Sequence, residues 1–128
     1  MAPTFDHLTV PSRDRATAAA RLASILGVAH GPSRIGPFTA VYVSDSLTLD
    51  FDQADGDFPV MHYCFRVSDT EFDALVARLR ELRVPYRSTP HGPVDDLINE
   101  SMGGRIVYWS EPDGHAWEAL TESYARRA

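Results

Sequence analysis

The sequence contains no lysine, a single cysteine and no long hydrophobic run. All 12 of its basic residues are arginine, which excludes chemistry that needs a lysine amine, such as a Schiff base or the lysine of a P-loop. Cys64 has no partner in the chain for a disulfide, which favours a reducing compartment and rules out a thiolate metal cluster. No segment approaches the roughly 18 apolar residues of a membrane span, and the first residues lack the pattern of a signal peptide. We therefore expect a cytoplasmic protein with no membrane partner.

The chain does have enough apolar material for one folded domain. It has 128 residues, of which 44% are hydrophobic and 10% aromatic, and compact domains of this size form a core. With 18 acidic residues against 12 basic ones, the formal charge is −6. Because nucleic acids are bound by basic surfaces, this balance argues against a nucleic-acid partner.

The first half of the chain predicts a strand, a helix and further strands. Residues 4–10 alternate as in a β-strand, and Pro11 and Ser12 are expected to end it. A helical pattern then runs from Asp14 to Leu26, with Gly27 as its C-cap. Strands are predicted at 38–43 and 47–51, and residues 28–35 are compatible with a shorter one.

The second half repeats this order. A strand at 61–67 is followed by a helix that opens with the capping box Ser68 and Glu71. Further strands are predicted at about 84–88, 105–110 and 115–121. His7 and His62 are 55 positions apart, and Asp50 and Glu118 are 68 apart because the loop at about 89–104 and the last turn are longer.

These repeats predict an α+β fold of two βαβββ units. The units span about residues 4–53 and 60–121, and a short tail follows at 122–128. Segments near 60 residues are marginal on their own, so the units are expected to combine into a single domain. We expect a curved mixed sheet with the helices on its outer face and a concave cleft on the other face.

Metal-ligating residue types recur at matched positions of the two units. Strand alternation sends His7 and His62 to the cleft face, away from the helices, and places Glu118 and Asp50 at corresponding positions of the last strands. Two neutral imidazoles and a carboxylate suit a divalent first-row metal and leave positions open for substrate. The sequence therefore predicts one divalent metal ion, which could be Fe, Mn, Ni, Co or Zn.

Three segments resemble the vicinal oxygen chelate superfamily. They are HLTV from His7, HYCFRV from His62 and VYWSEPDGHAWEAL from Val107. The superfamily includes glyoxalase I, extradiol dioxygenases, fosfomycin-resistance enzymes and bleomycin-resistance proteins, all built from paired βαβββ units. The resemblance implies that His7, His62 and Glu118 are the metal ligands, and that Asp50 falls at the position of a fourth, glutamate ligand in glyoxalase I.

Direct ligation by Asp50 and a solvated or water-bridging carboxylate are about equally compatible with the sequence. Aspartate is one methylene shorter than glutamate, so its side chain could end about 1.5 Å short, whereas metal distances tolerate about 0.2 Å. The better prediction is a three-ligand site of His7, His62 and Glu118. Glu118 or Asp50, partly released from the metal, is the candidate general base of an isomerase.

The resemblance implies an isomerase or lyase, or a dioxygenase, acting on a small oxygen-bearing molecule chelated to the metal. Fosfomycin chemistry is unlikely, since the loop at 97–105 offers no lysine and only one arginine for a dianionic phosphonate. His115, next to a turn, is expected to be exposed to solvent. The predicted substrate-binding residues are Phe5, Thr9, Tyr42, Cys64, Arg66, Met102, Arg105 and Tyr108.

The rival interpretation is a metal-free drug-binding protein on the same fold, as bleomycin-resistance proteins are. The acidic net charge favours this alternative, whereas the presence of all three ligand types argues against it. The resemblance also implies a homodimer, and it leaves open whether the ligands of one metal come from one subunit or from two.

Overall fold

The computed structural model describes residues 1–126 and divides the chain into two compact units, Met1–Pro59 and Val60–Ala128. Residues 127 and 128, the end of the predicted tail, lie outside the described residues. Each unit contains one helix and one four-stranded sheet. No helix among the described residues is long and apolar enough to cross a membrane.

Unit 1 forms a mixed sheet in the order β1-β4-β3-β2, in which only the β1 and β4 pair is parallel. Its elements are β1 (His7–Ser12), α1 (Arg15–Leu26), β2 (His30–Pro32), β3 (Thr39–Tyr42) and β4 (Thr48–Gln53).

Unit 2 has the same connectivity, with strand order β5-β8-β7-β6 and a parallel pair of β5 and β8. Its elements are β5 (His62–Arg66), α2 (Asp69–Glu81), β6 (Tyr86–Arg87), β7 (Ile106–Ser110) and β8 (Ala116–Leu120). The repeated topology confirms the predicted α+β fold of βαβββ units.

Strand register places the candidate ligands in the same way in both sheets. His7 lies opposite Thr48, two residues before Asp50 on the neighbouring parallel strand. His62 lies opposite Ala116, two residues before Glu118. Because side chains alternate between faces with a period of two, each histidine shares a sheet face with its carboxylate.

Both helices begin and end where the sequence predicts. The Asp14 side chain accepts a hydrogen bond from the Thr17 backbone, and Gly27 ends α1 with φ of 71°, a left-handed conformation that glycine adopts without strain. At the start of α2, Ser68 and Glu71 form the reciprocal capping box. The chain therefore leaves β1 and β5 through fixed turns.

The predicted end of the first strand is wrong. β1 continues through Pro11 and Ser12, which pair in register with Asp52 and Gln53 of β4. β1 is the edge strand of its sheet, so the missing N–H of Pro11 can face away from the only neighbouring strand. Proline ends a strand reliably only where both sides are paired.

Aromatic side chains fill one face of the unit 2 sheet. Trp117 is buried and stacks against Tyr63 and Phe65, with ring centroids 4.5 and 5.9 Å apart. Trp109 is also buried, directly opposite Trp117 in the register of β7 and β8. This apolar face leaves the polar residues of β5 and β8 on the other side of the sheet.

Replacing Ser68 by alanine should lower the free energy of unfolding by about 1 kcal/mol, because an N3 backbone N–H loses its acceptor at the start of α2. Urea denaturation followed by circular dichroism measures the loss. Thr70→Ala, an exposed change in the same helical turn, is the control and should shift stability by less than about 0.5 kcal/mol. Equal stability of Ser68→Ala and wild type would contradict the energetic role of the capping box.

Candidate metal centre

The polar face of the unit 2 sheet is centred on Glu118. Its side chain is 0% exposed, whereas that of His62 is 47% exposed. Nε2 of His62 lies 2.8 Å from Oε1 of Glu118. Cys64 and Tyr108 lie directly opposite Glu118 on the two neighbouring strands. The result is a buried carboxylate with one imidazole reaching solvent.

Tyr124 is the residue of this site that the sequence analysis missed. Its hydroxyl donates to both carboxylate oxygens of Glu118, at 2.8 Å and 2.9 Å. Its ring packs on a buried cluster of Ile106, Tyr108 and Leu120. Residue 124 belongs to the predicted tail, and its one detectable signal is an aromatic ring within the polar segment TESYARR.

Burial and the Glu118 carboxylate together suppress ionisation of the surrounding groups. Burial, followed by the charge of Glu118, raises the pKa of Cys64 to about 12. The same two causes, in the same order of size, raise the pKa of Tyr108. The pKa of Tyr124 is raised as well, first by burial and then by its hydrogen bond to Glu118. These groups therefore keep their protons at neutral pH and can serve as hydrogen-bond donors.

Unit 1 presents His7 and Asp50 in an open pocket of about 730 Å³. Tyr42 and Arg34 also line this pocket. Nδ1 of His7 lies 2.7 Å from Oδ2 of Asp6. The hydrogen bond and charge of Asp6 raise the pKa of His7, with a smaller contribution from the charge of Asp50.

The donor geometry in unit 2 fits two adjacent positions of a metal ion. Two donor atoms that lie about 2.1 Å from a common metal at a right angle are about 3.0 Å apart, close to the 2.8 Å between His62 Nε2 and Glu118 Oε1. Within residues 1–126, no three His, Cys, Asp or Glu side chains form a group that could hold a metal ion. The structure brings His62 and Glu118 together, while His7 lies in unit 1, so the three-ligand set stays a prediction.

Several predicted substrate-binding residues lie beside these candidate ligands. Cys64 and Tyr108 flank Glu118, Thr9 lies opposite Asp50 in the β1 and β4 register, and Tyr42 lines the unit 1 pocket. Phe5 and Met102 are exposed, as a substrate contact requires. No observation tests their roles, which stay predictions.

The two arginines of the predicted substrate set are engaged elsewhere. Arg105 forms ion pairs with Asp69 and Asp73 at the start of α2 and lies over the Phe72 ring. Nε of Arg66 donates to the Thr121 carbonyl, and its Nη2 donates to Glu122. Both guanidinium groups therefore hold segments of unit 2 together.

The expected exposure of His115 is wrong. The residue is fully buried, and its Nδ1 accepts a hydrogen bond from the Met61 backbone at 3.0 Å. The Tyr63 ring packs edge-on against it. The preceding turn folds inward because the Glu111 side chain accepts the N–H groups of Asp113 and His115. His115 thereby fixes the residue that precedes His62.

No protein-family model matches the sequence, and no curated protein matches it. Two solved structures match it over nearly the whole chain. Oxidase ChaP-H1 is 41% identical, with a TM-score of 0.87, and the match covers 96% of this chain and 98% of that one. Oxidase ChaP-H2 is 35% identical, with a TM-score of 0.88 and coverage of 97% of both chains. The chain belongs to the vicinal oxygen chelate superfamily.

The predicted resemblance is thus confirmed at the level of the superfamily. A third solved structure, the glyoxylase/bleomycin resistance protein/dioxygenase domain from Frankia sp. EAN1pec, is 18% identical, with a TM-score of 0.70. That match covers 96% of this chain and all of the other. At this identity the match shows a shared fold.

Cys64 should react slowly with an alkylating agent. At pH 8 and with chelator present, a thiol pKa of about 12 should make iodoacetamide alkylation roughly a hundredfold slower than that of free cysteine. Mass spectrometry over time gives the rate, and the chain has no other cysteine to confuse it.

Removing the carboxylate charge in Glu118→Gln should accelerate this alkylation. Glu100→Gln, at an exposed loop position, should leave the rate unchanged. A wild-type rate equal to that of free cysteine would contradict the described environment of the thiol.

Proposed function

We propose that this protein is a divalent-metal-dependent oxidase that acts on a small organic substrate through neighbouring oxygen atoms. The observation that carries the proposal is the pair formed by the fully buried Glu118 carboxylate and the exposed His62 imidazole, whose donor atoms lie 2.8 Å apart. A buried carboxylate is costly without a partner, and a metal ion beside an accessible imidazole supplies one.

In this proposal His62, Glu118 and His7 hold the metal. His7 is included because it occupies in unit 1 the register position that His62 occupies in unit 2. When bound, the metal supplies a Lewis acid for the oxygen atoms of the substrate and, if redox-active, a route for electrons to O₂.

Tyr108 is proposed to hold a proton next to the reacting oxygen atoms. It lies opposite Glu118 on β7, and its raised pKa keeps the hydroxyl protonated at neutral pH. A protonated phenol can donate a hydrogen bond to an anionic substrate oxygen and stabilise the charge that develops there. Asp50, in the unit 1 pocket with His7, remains the candidate base.

The oxidase reaction is favoured over an isomerase or lyase by similarity. The two relatives above 30% identity are both described as oxidases, and each matches nearly the whole chain. Fosfomycin chemistry is further disfavoured because Arg105, the one arginine of the loop at 97–105, is paired with Asp69 and Asp73. A phosphonate would then find neither a lysine nor that guanidinium to neutralise it.

Metal binding tests the ligand assignment directly. We expect protein purified without chelator to bind about one equivalent of Fe²⁺ per chain in anaerobic titration. His7→Ala, His62→Ala and Glu118→Ala should each weaken binding at least about a hundredfold, because each removes a direct ligand. His91→Ala, at an exposed loop position, is the matched control and should bind as wild type does.

Two outcomes of the titration would contradict this assignment. Negligible uptake by wild-type protein would favour the metal-free drug-binding alternative. Unchanged affinity in all three alanine variants would place the metal elsewhere.

Oxygen consumption tests the reaction class. With catechol as a probe, Fe²⁺-loaded protein should take up O₂, chelation with EDTA should abolish the uptake, and added Fe²⁺ should restore it. An oxygen electrode provides the measurement, and Glu118→Gln should be inactive at equal protein concentration.

The hemithioacetal of methylglyoxal and glutathione is the comparison substrate. Its conversion without O₂ uptake, by protein that binds metal but does not oxidise catechol, would contradict the oxidase proposal and indicate a lyase.

A further inference from the structure

We propose that Tyr124 is a positioning residue that fixes the orientation of the Glu118 carboxylate and thereby sets the affinity for the metal. This inference rests on the proposed function, because it concerns the ligand role of Glu118. It assigns a task to the C-terminal segment, which the repeat pattern of the sequence leaves outside both βαβββ units.

The hydrogen bonds to Glu118 leave room for a metal. A carboxylate offers about four lone-pair positions. The Tyr124 hydroxyl lies 2.8 Å from Oε1 and 2.9 Å from Oε2, and the imidazole of His62 approaches Oε1 alone. Tyr124 can therefore keep its bond to Oε2 while Oε1 faces the metal beside His62.

The segment that carries Tyr124 is held in place on both sides. Arg66 binds the Thr121 carbonyl and the Glu122 carboxylate, and the Arg105 backbone N–H donates to Thr121 Oγ1 at 2.9 Å. Gly104 makes this close passage possible, since a Cβ there would lie 2.6 Å from Thr121 Oγ1 and 2.8 Å from Glu122 Cβ. The tyrosine hydroxyl is therefore presented to Glu118 by an anchored backbone.

An oriented carboxylate needs such a donor. Outer hydrogen-bond partners fix the orientation of metal ligands, and their loss typically weakens metal binding by about ten- to a hundredfold. Without the hydroxyl, the buried Oε2 would lack that donor and the carboxylate would be free to turn both oxygens toward the metal. Such a turn would use a coordination position that the substrate requires.

The test is a titration of the full-length protein with Co²⁺ alone, followed by its visible absorption. Tyr124→Phe keeps the ring on its apolar cluster and removes only the hydroxyl. We expect the Kd for Co²⁺ to rise at least about tenfold and the absorption to weaken as the coordination number rises. Tyr86→Phe is the matched control, because it removes a tyrosine hydroxyl bonded to Arg80 and should leave both Kd and spectrum unchanged.

A second variant reaches Tyr124 indirectly. Glu122→Gln keeps the tyrosine but loosens the anchor formed with Arg66, and it should raise the Kd in the same direction by a smaller factor. Equal or tighter Co²⁺ binding by Tyr124→Phe, with an unchanged spectrum, would overturn the positioning role and leave the proposed function standing. Failure of wild-type protein to bind Co²⁺ or Fe²⁺ would overturn both.

Discussion

A carboxylate without solvent contact is the constraint around which unit 2 is organised. Moving a carboxylate out of water costs several kcal/mol even after the protein relaxes, and Glu118 is completely buried on an inner strand of the sheet. The cost is offset locally by His62 and by the Tyr124 hydroxyl. An apolar residue at position 118 would stabilise the fold at lower cost, so the presence of glutamate there is explained by what the carboxylate binds.

The duplicated topology makes the difference between the two units informative. Asp50 lies at the position of Glu118, but it is partly exposed in an open pocket, and the neighbouring His7 bonds to Asp6. Counting six residues beyond the carboxylate gives Tyr124 in unit 2 and Gly56 in unit 1, which has no side chain to donate. One sheet therefore buries and orients its carboxylate, while the other leaves its histidine and aspartate accessible.

Period-two alternation predicts the polar face of each sheet because that face depends only on local backbone geometry. His62, Cys64 and Glu118 share a face for this reason, and the capping residues of both helices follow from equally local chemistry. Tyr124 and His115 could not be found in this way. The position of Tyr124 depends on the anchoring of its segment by Arg66, and the burial of His115 depends on the acceptor in Glu111. Arg105 shows the same limit, since Asp69 and Asp73 lie more than 30 residues away in sequence.

The absence of lysine acquires a physical meaning once the charges of the proposed site are added. Among the proposed ligands only Glu118 is anionic, because imidazole binds a metal in its neutral form. A divalent ion held by this set keeps one unit of positive charge, and the raised pKa of Tyr108 prevents that phenol from cancelling it. This positive charge attracts an anionic substrate oxygen directly. A substrate that brings one such oxygen thus needs no cationic side chain, whereas a dianionic phosphonate would leave a negative charge that this chain, with Arg105 already paired, does not neutralise.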